Sequence, residues 1–392
     1  MKFSDLPKPS EEPRPAGTAA PLSEKSSLPP TASDPFKELE EKESASKPVK
    51  SLSAAPPPAE ETAEEFDRKV REESLQATEV YSEAVSAARQ IYRALEKPLE
   101  VEGLEIPHEA LRKLMAVVRS DNQEILILAD RSAPDNYLYG HVVNVAVFSL
   151  RLGLSVGLTE EEMLTVAAGA FLHDIGMIPY LPMVLRPTRL SEDELKQVQR
   201  HSEEGAQLLT KFPSLQGRDL EVVSSIVVQV HERMEGMGYP QALGQDAIHR
   251  LAKLVGVCDM YESLTHMRAW RSRLLPHHVL RVMIEEHERT FEPGLVKSLV
   301  EALSLYPPGS FVRLSSGDIG RVVAVNHGLP TRPIVKVLVD AQGQRVAAPK
   351  VVNLATHPIL YVSDAVDETK LPTSDQRLLL ELRAQRWWVR GF

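Results

Sequence analysis

A His-Asp pair lies near the middle of the chain, in Phe171-Leu172-His173-Asp174-Ile175-Gly176. Thr159 and Glu162 are spaced as a capping box, which predicts a helix that starts there and runs into the pair. Reading back from Asp174 in helical steps meets Ala170, Ala167 and Met163, so its carboxylate belongs to the face that packs inward. A buried carboxylate is costly unless a cation accompanies it, and no Lys or Arg lies within one turn. A metal ion is the simplest remedy, with the neighbouring imidazole as a nitrogen ligand. The competing reading is a helix C-terminal turn whose polar groups are merely hydrogen-bonded. Further ligands at suitable places along the chain would separate the two.

Such residues recur. His141, His173, Asp174, His201, His231 and Asp259 fall on inward faces of successive predicted helices, each on a different helix apart from the central pair. A helical bundle assembles a metal centre in this way. His141, His173, Asp174 and Asp259 would complete one site, and Asp174, His201 and His231 would serve a second, with Asp174 bridging. Two divalent ions about 3.5–4 Å apart suit phosphodiester hydrolysis. Arg268 and Arg271 lie one helical turn apart, a spacing that suits gripping a phosphate; solvated charges at a helix end are the alternative. His249, His266, His277, His278 and His287 fall outside the pattern and read as surface helix residues.

The elements that must position these groups read as mainly α: a helical bundle with a metal site, followed by a small antiparallel β-meander. Val142, Val143, Val145, Ala146, Phe148 and Leu150 give an apolar helix beginning near His141. Leu190-Ser191-Glu192-Asp193-Glu194 is a capping box that opens a helix carrying His201 and Gly205. Leu220 to Val230 predicts a buried helix running into His231-Glu232-Arg233 and a Gly-rich loop, Glu235-Gly236-Met237-Gly238-Tyr239-Pro240. Asp246 is expected to cap the helix of Cys258 and Asp259, and helices over 278–287 and 293–305 follow. Ahead of this block lie a polar helix over 61–95, with Phe66, Val70, Leu75, Val80 and Val85 spread along it, and a second over Ala110 to Ala129. These cover the next domain or form a homodimer contact. From Gly309 come β-type runs at 311–314, 321–326, 334–339 and 345–354, with turns at Ser316-Gly317-Asp318 and Ala341-Gln342-Gly343-Gln344. The resulting organisation is a disordered Pro/Ser/Glu-rich segment (1–60), N-terminal helices (61–136), the helical domain (137–305), a β extension (306–363) and a helical tail (364–392) ending in Trp387-Trp388.

Composition narrows the classes. The formal net charge of the 392 residues is -10, which argues against bulk binding to nucleic acid or an anionic membrane. Cys258 is alone, so no intrachain disulfide forms. Met1 to Pro9 lacks the apolar stretch of a signal peptide, and no run of about 18 apolar residues predicts a membrane span. The expectation is a cytoplasmic protein.

With the motifs in order, the chain resembles an HD-GYP domain, a subfamily of the HD phosphohydrolase superfamily. The resemblance rests on His141, His173-Asp174-Ile175-Gly176, His201 with Gly205, His231-Glu232-Arg233, Gly238-Tyr239-Pro240 and Asp259, and covers about Tyr137 to Leu305. It implies an all-helical domain that hydrolyses the bacterial second messenger cyclic di-GMP to pGpG and GMP, with iron or manganese as the metals. It also implies that Arg268 and Arg271 contact phosphate, and that the Gly238-Tyr239-Pro240 loop meets diguanylate cyclases (GGDEF proteins). A purely structural role for that loop stays open: Gly permits the turn, Pro stiffens it and Tyr packs. Three departures stand out. Met177 replaces the usual Lys of His-Asp-x-Gly-Lys. Val230 replaces the first of two consecutive His, removing one nitrogen ligand of the second metal. Glu262 stands where Asp-x-x-Asp-Ala-Leu has its second Asp, and Glu235 is a milder change in the loop. Met177 and Val230 also suit two alternatives: a catalytically degenerate module that senses cyclic di-GMP or scaffolds partners, and an HD hydrolase of another nucleotide.

Overall fold

The two most apolar segments of the chain become the helices at the centre of the protein. In the computed structural model, which describes residues 63–96, 104–130, 137–267, 273–285 and 289–367 together with Leu371 and Asp375, α4 (Tyr137–Ser155) packs along α5 (Glu160–Leu172). α4 and the longer helical run Glu160–Val184 that α5 opens are apolar and long enough to cross a membrane by length and composition, but 83% and 72% of their most apolar stretches are buried inside the fold. They are core helices. α5 starts at the expected capping box, with Thr159 accepting from the Glu162 backbone and Glu162 from that of Thr159.

Around this pair stand α9 (Gly217–Gln229) against α5, α10 (Arg250–Thr265) against α4, and α12 (Pro293–Leu303) against α4, while α11 (Pro276–Glu285) bridges α10 and α12. α6 (Leu181–Val184), α7 (Glu192–Gln199) and α8 (His201–Leu209) wrap the end at which α5 stops. Before them, α1 (Ala63–Ala94) packs on α2 (His108–Arg119), α3 (Gln123–Ala129) and α4. The buried seam of α1 is Ala77, Val80, Tyr81, Ala84, Val85, Ala88, Ile91 and Tyr92. That is the three-and-four spacing of an amphipathic helix, built partly from small alanines. Leu75, one of its expected apolar contacts, is 68% exposed.

Several boundaries differ from the sequence expectation. The helix expected over Ala110 to Ala129 is two, because Asp121 adopts φ 57° and Asn122 caps α3 by accepting from Glu124 N at 3.0 Å; short Asp and Asn side chains favour such breaks. The helix expected to carry His201 splits at Arg200 into α7 and α8, although its Ser191–Glu194 capping box forms. Asp246 caps no long helix: it lies in a 3-10 turn (Gln245–Ala247), and α10 starts after His249, whose Nδ1 accepts from Leu251 N at 3.3 Å.

The C-terminal sheet is antiparallel in the order β4-β3-β2-β1-β5. Its strands are β1 (Phe311–Leu314), β2 (Ile319–Ala324), β3 (Ile334–Val339), β4 (Val351–Asn353) and β5 (Val362–Val366). The run at 345–354 yields only the short β4. β5 was not expected: residues 364–366, assigned to a helical tail, instead pair with β1, Phe311 opposite Val366 and Val312 opposite Ala365. They satisfy a strand edge that would otherwise carry unpaired backbone groups. Leu371 packs with Phe311, Ile319 and Val339. Ser304 Oγ and Leu305 N both donate to Pro330 O and tie the last helix to the sheet. The expectations for residues 1–60, Arg268, Arg271, His287, the Phe66 and Val70 side chains, and Trp387-Trp388 lie outside the described residues.

Candidate metal centre

Glycines let the supporting backbones meet. His173 closes α5, and Asp174 precedes a 3-10 turn (Ile175–Tyr180). A Cβ on Gly176 in that turn would lie 2.2 Å from His201 O and 2.7 Å from Gly205 N. Only glycine therefore lets the Asp174 segment press against α8. A Cβ on Gly256 of α10 would lie 2.6 Å from Val230 O, so the end of α9 bearing His231 sits directly against the helix of Asp259.

The result is a buried cluster. His141 Nε2 lies 3.2 Å from His173 Nε2, 3.3 Å from Asp259 Oδ1 and 3.5 Å from Asp174 Oδ2. His201 Nε2 lies 3.0 Å from His231 Nε2 and 3.3 Å from Asp174 Oδ1, and His231 Nδ1 is 3.4 Å from Asp259 Oδ2. Two sets, His141/His173/Asp259 and Asp174/His201/His231, each offer ligand atoms within 4.8 Å of one another. Asp174 faces both, with Oδ2 toward His141 and Oδ1 toward His173 and His201. Arg268 and Arg271 are the two candidate residues that the description does not reach.

The proton inventory tests whether a metal fits. His173 Nδ1 donates to Ala170 O and His201 Nδ1 to Val198 O, both at 2.7 Å, and His141 Nδ1 donates to Glu262 Oε2 at 2.5 Å. Each of these imidazoles, when neutral, then presents a lone pair at Nε2. Those lone pairs converge on one another and on carboxylate oxygens, while Asp174 Oδ1 is buried with no hydrogen bond among the described residues. Such an array needs cations among its donors, and its mixed imidazole and carboxylate chemistry suits a divalent transition metal.

The carboxylates of the cluster are held ionised. Burial opposes ionisation of Asp259, yet His141 and His231 hold its carboxyl well below the usual range; Asp174 is likewise held down against burial by His173, His201 and His141. Burial alone would lower His141, but Glu262 and Asp259 raise it, and Asp174 does the same for His201. Burial pushes His231 down to about 4. Ionised carboxylates beside a neutral His231 are ready ligands.

Sequence reasoning missed the supports. Glu262 accepts from His141 Nδ1 and from Asn144 Nδ2 (3.0 Å), and Tyr81 OH donates to Asn144 Oδ1 at 2.7 Å. Glu262 is thus more than a retained charge. His266, expected on the surface, is buried at 7% exposure and donates from Nδ1 to Glu262 O at 2.9 Å. Asn144, three residues after His141 on one helix face, was within reach of a periodicity argument; Tyr81, 60 residues earlier, was not.

The Gly-Tyr-Pro loop is clamped from beneath. Glu232 accepts from Gln241 N at 2.7 Å and Leu243 N at 2.9 Å, and Arg233 lies 4.9 Å over the Phe291 ring. A Cβ on Gly238 would lie 2.4 Å from Arg233 N and from Glu232 Cα. Tyr239, which precedes Pro240 through a cis peptide, stacks on His231 with centroids 4.8 Å apart. Met177 and Val230 are both buried, at 8% and 1% exposure, and bring neither charge nor nitrogen.

Comparisons with known proteins agree with this architecture. Residues 122–295 match the HD domain family, and residues 311–374 match the KOW domain associated with HD domain. The stretch from 122 to 295 is thus similar to the HD domain family, and it contains the His173-Asp174 pair and the Gly238-Tyr239-Pro240 loop. It is 33% identical, over 61% of its length and 56% of the relative's, to a Pseudomonas aeruginosa protein named a cyclic di-GMP phosphodiesterase. It is 34% identical, over 37% of its length and 38% of the relative's, to RpfG of Xanthomonas campestris, named a cyclic di-GMP phosphodiesterase response regulator. A Vibrio cholerae protein named a 3'3'-cGAMP-specific phosphodiesterase is 25% identical over 46% of this chain and 38% of the relative. The chain thus spans little more than half the length of the first of these relatives, and less of the others.

Proposed function

We propose that the protein is a metal-dependent phosphodiesterase that hydrolyses cyclic di-GMP to pGpG and GMP in bacterial second-messenger signalling. The observation that carries this is the pair of buried ligand sets sharing Asp174, supported by relatives named as cyclic di-GMP phosphodiesterases. His141, His173 and Asp259 would hold one metal and His201 and His231 a second, with Asp174 serving both. Fe(II) or Mn(II) suits these donors. When bound, the metal supplies Lewis acidity toward the phosphoryl oxygens and makes water nucleophilic at neutral pH. The chain's own groups hold the imidazoles in one tautomer through Glu262, Ala170 O and Val198 O, exclude bulk water by burial, and orient the phosphate through Arg268 and Arg271. Each opened phosphodiester consumes one water and leaves one monoester. We place the protein in the cytoplasm, away from nucleic acid and membrane, with domain boundaries near 60, 136 and 305. GGDEF partners on the Gly238-Tyr239-Pro240 loop and a homodimer belong to the same reading.

Met177 favours a second reading on the substrate side. A family Lys is replaced by an uncharged side chain while the ligand sets are retained, and a relative is named for 3'3'-cGAMP. The test loads purified protein anaerobically with Fe(II), and separately with Mn(II). It offers cyclic di-GMP or 3'3'-cGAMP and separates products by chromatography, with a His173→Ala/Asp174→Ala blank. Formation of pGpG or GMP from cyclic di-GMP by the parent alone is expected. Turnover confined to 3'3'-cGAMP transfers the activity to the second reading. No turnover of either leaves a binding module.

A further inference from the structure

We propose that Tyr81, on a helix outside the span matched by the HD domain family, is a positioning residue that sets the tautomer and orientation of His141 through Asn144 and Glu262. The inference rests on His141 being a metal ligand, but not on which nucleotide is cleaved.

The chain of contacts has one direction. Tyr81 OH donates to Asn144 Oδ1 at 2.7 Å, Asn144 Nδ2 donates to Glu262 Oε1 at 3.0 Å, and His141 Nδ1 donates to Glu262 Oε2 at 2.5 Å. Every member is buried, with exposures of 3% for Tyr81, 0% for Asn144, 2% for Glu262 and 3% for His141. An amide can be turned either way, and only one way works here. With its oxygen toward the phenol, Asn144 offers N–H to the Glu262 carboxylate; reversed, it would set oxygen against oxygen. The acceptor-only Glu262 carboxylate selects this amide orientation, and the phenol hydroxyl, donating to Oδ1, anchors the amide in it. The amide anchors the carboxylate, and the carboxylate holds the proton on His141 Nδ1, leaving the Nε2 lone pair for the cluster. Burial pushes the Tyr81 phenol up, so it stays a donor.

The same helix grips the site again. Tyr92, three turns on, donates from OH to Phe171 O at 3.0 Å, two residues before His173. α1 thus supports the elements of two ligands from one buried seam, which gives a helix with no ligand of its own a hold on the metal centre.

The experiment compares the full chain with Tyr81→Phe, Glu262→Gln and their double variant, with Leu75→Ala on the exposed side of α1 as control. Mn(II) affinity is measured by competition with a chelating dye, and the His141 ring nitrogens by 15N NMR on the metal-free protein. Tyr81→Phe keeps the ring that packs and removes only the hydroxyl. It is expected to weaken Mn(II) about tenfold, as loss of outer-shell partners does, and to lower the Nδ1–H population of His141. It should add no further loss in the Glu262→Gln background, while Leu75→Ala matches the parent. Asn144→Ala, cutting the chain one link closer, should reproduce the phenotype, and thermal melts check that each variant is folded. Mn(II) affinity within twofold of the parent in Tyr81→Phe, or a loss fully additive with Glu262→Gln, overturns the proposal. If the parent takes up no Mn(II), the metal reading falls and the ring spectrum decides: an unchanged Nδ1–H signal in Tyr81→Phe then overturns the relay.

Discussion

Gly176→Ala is the sharpest perturbation of the site's architecture, because it adds one methyl group and no charge. The new Cβ would lie 2.2 Å from His201 O and 2.7 Å from Gly205 N, against 3.4–4 Å for ordinary contact. The 3-10 turn and α8 must therefore part by roughly 1 Å, since both obstacles are backbone atoms that no rotamer can move. Overpacking of this kind costs about 1–3 kcal/mol. At about 2 °C per kcal/mol for a chain of this size, Tm falls by about 2–6 °C. The displaced carbonyl belongs to His201, whose Nε2 stands 3.3 Å from Asp174 Oδ1. Metal–ligand distances tolerate only about 0.2 Å, so the Asp174/His201/His231 set should fail before the His141/His173/Asp259 set. The assay is metal content by elemental analysis after Mn(II) loading, with melts alongside. The expected result is a lower Tm and a bound-metal ratio reduced relative to the parent. A variant with unchanged Tm and the parent's metal content would refute the claim that the Gly176–His201 contact sets the spacing of the second set.

Three further outcomes are expected. Burial, aided by the charge of His278, pushes His277 down to about 4 from 6.5, while Asp364 opposes and Arg281 assists; its Nδ1 makes no hydrogen bond among the described residues. The unfolded chain therefore takes up a proton near 6.5 that the folded chain refuses, so the stabilisation is complete above 6.5 and is lost as pH falls toward 4. Melts of His277→Phe should depend less steeply on pH than the parent, by up to about 1 kcal/mol per pH unit between 6 and 5; parallel curves would refute this. Mn(II) at a hundredfold excess over its Kd should stabilise the protein by about 2.7 kcal/mol, reversed by chelator and absent in His173→Ala/Asp174→Ala, as read by thermal shift. Glu232→Gln removes the charge that accepts from Gln241 N and Leu243 N, a loss of about 1–3 kcal/mol confined to the loop. Hydrogen exchange should quicken at those two amides while α4 and α5 keep their protection, and uniform exchange across the chain would count against a local clamp.

Much of the fold was legible because it rests on local rules. The capping boxes at Thr159 and Ser191, the apolar run of α4 and the helical course of α9 are statements about periodicity and end chemistry, which neighbouring residues decide; α9, expected to be buried, instead buries one face through Val223, Ile226 and Val227. Where three-dimensional pairing decides, the reading failed. β5 forms because β1 has an open edge, which no local pattern in 362–366 announces. The seam of α1 was legible only in part, at Val80 and Val85, because alanines and tyrosines supply most of the rest of its core-facing positions.

For the site, the sequence by itself determined the inventory: six His and Asp residues spaced to fall on inward faces, their expected division around Asp174, and the resemblance of the pattern to a known family with departures at Met177 and Val230. Only the tertiary structure decided how the inventory is supported. It showed that Gly176 and Gly256 are what let the backbones close, and it brought Glu262, Asn144, His266 and Tyr81 into the shell behind His141. The reason is physical. Ligand identity is a property of side-chain type and face, which a helix period carries along the chain. Ligand orientation is set by hydrogen bonds from whatever groups packing delivers, and packing between α1 and α4 joins residues separated by more than sixty positions.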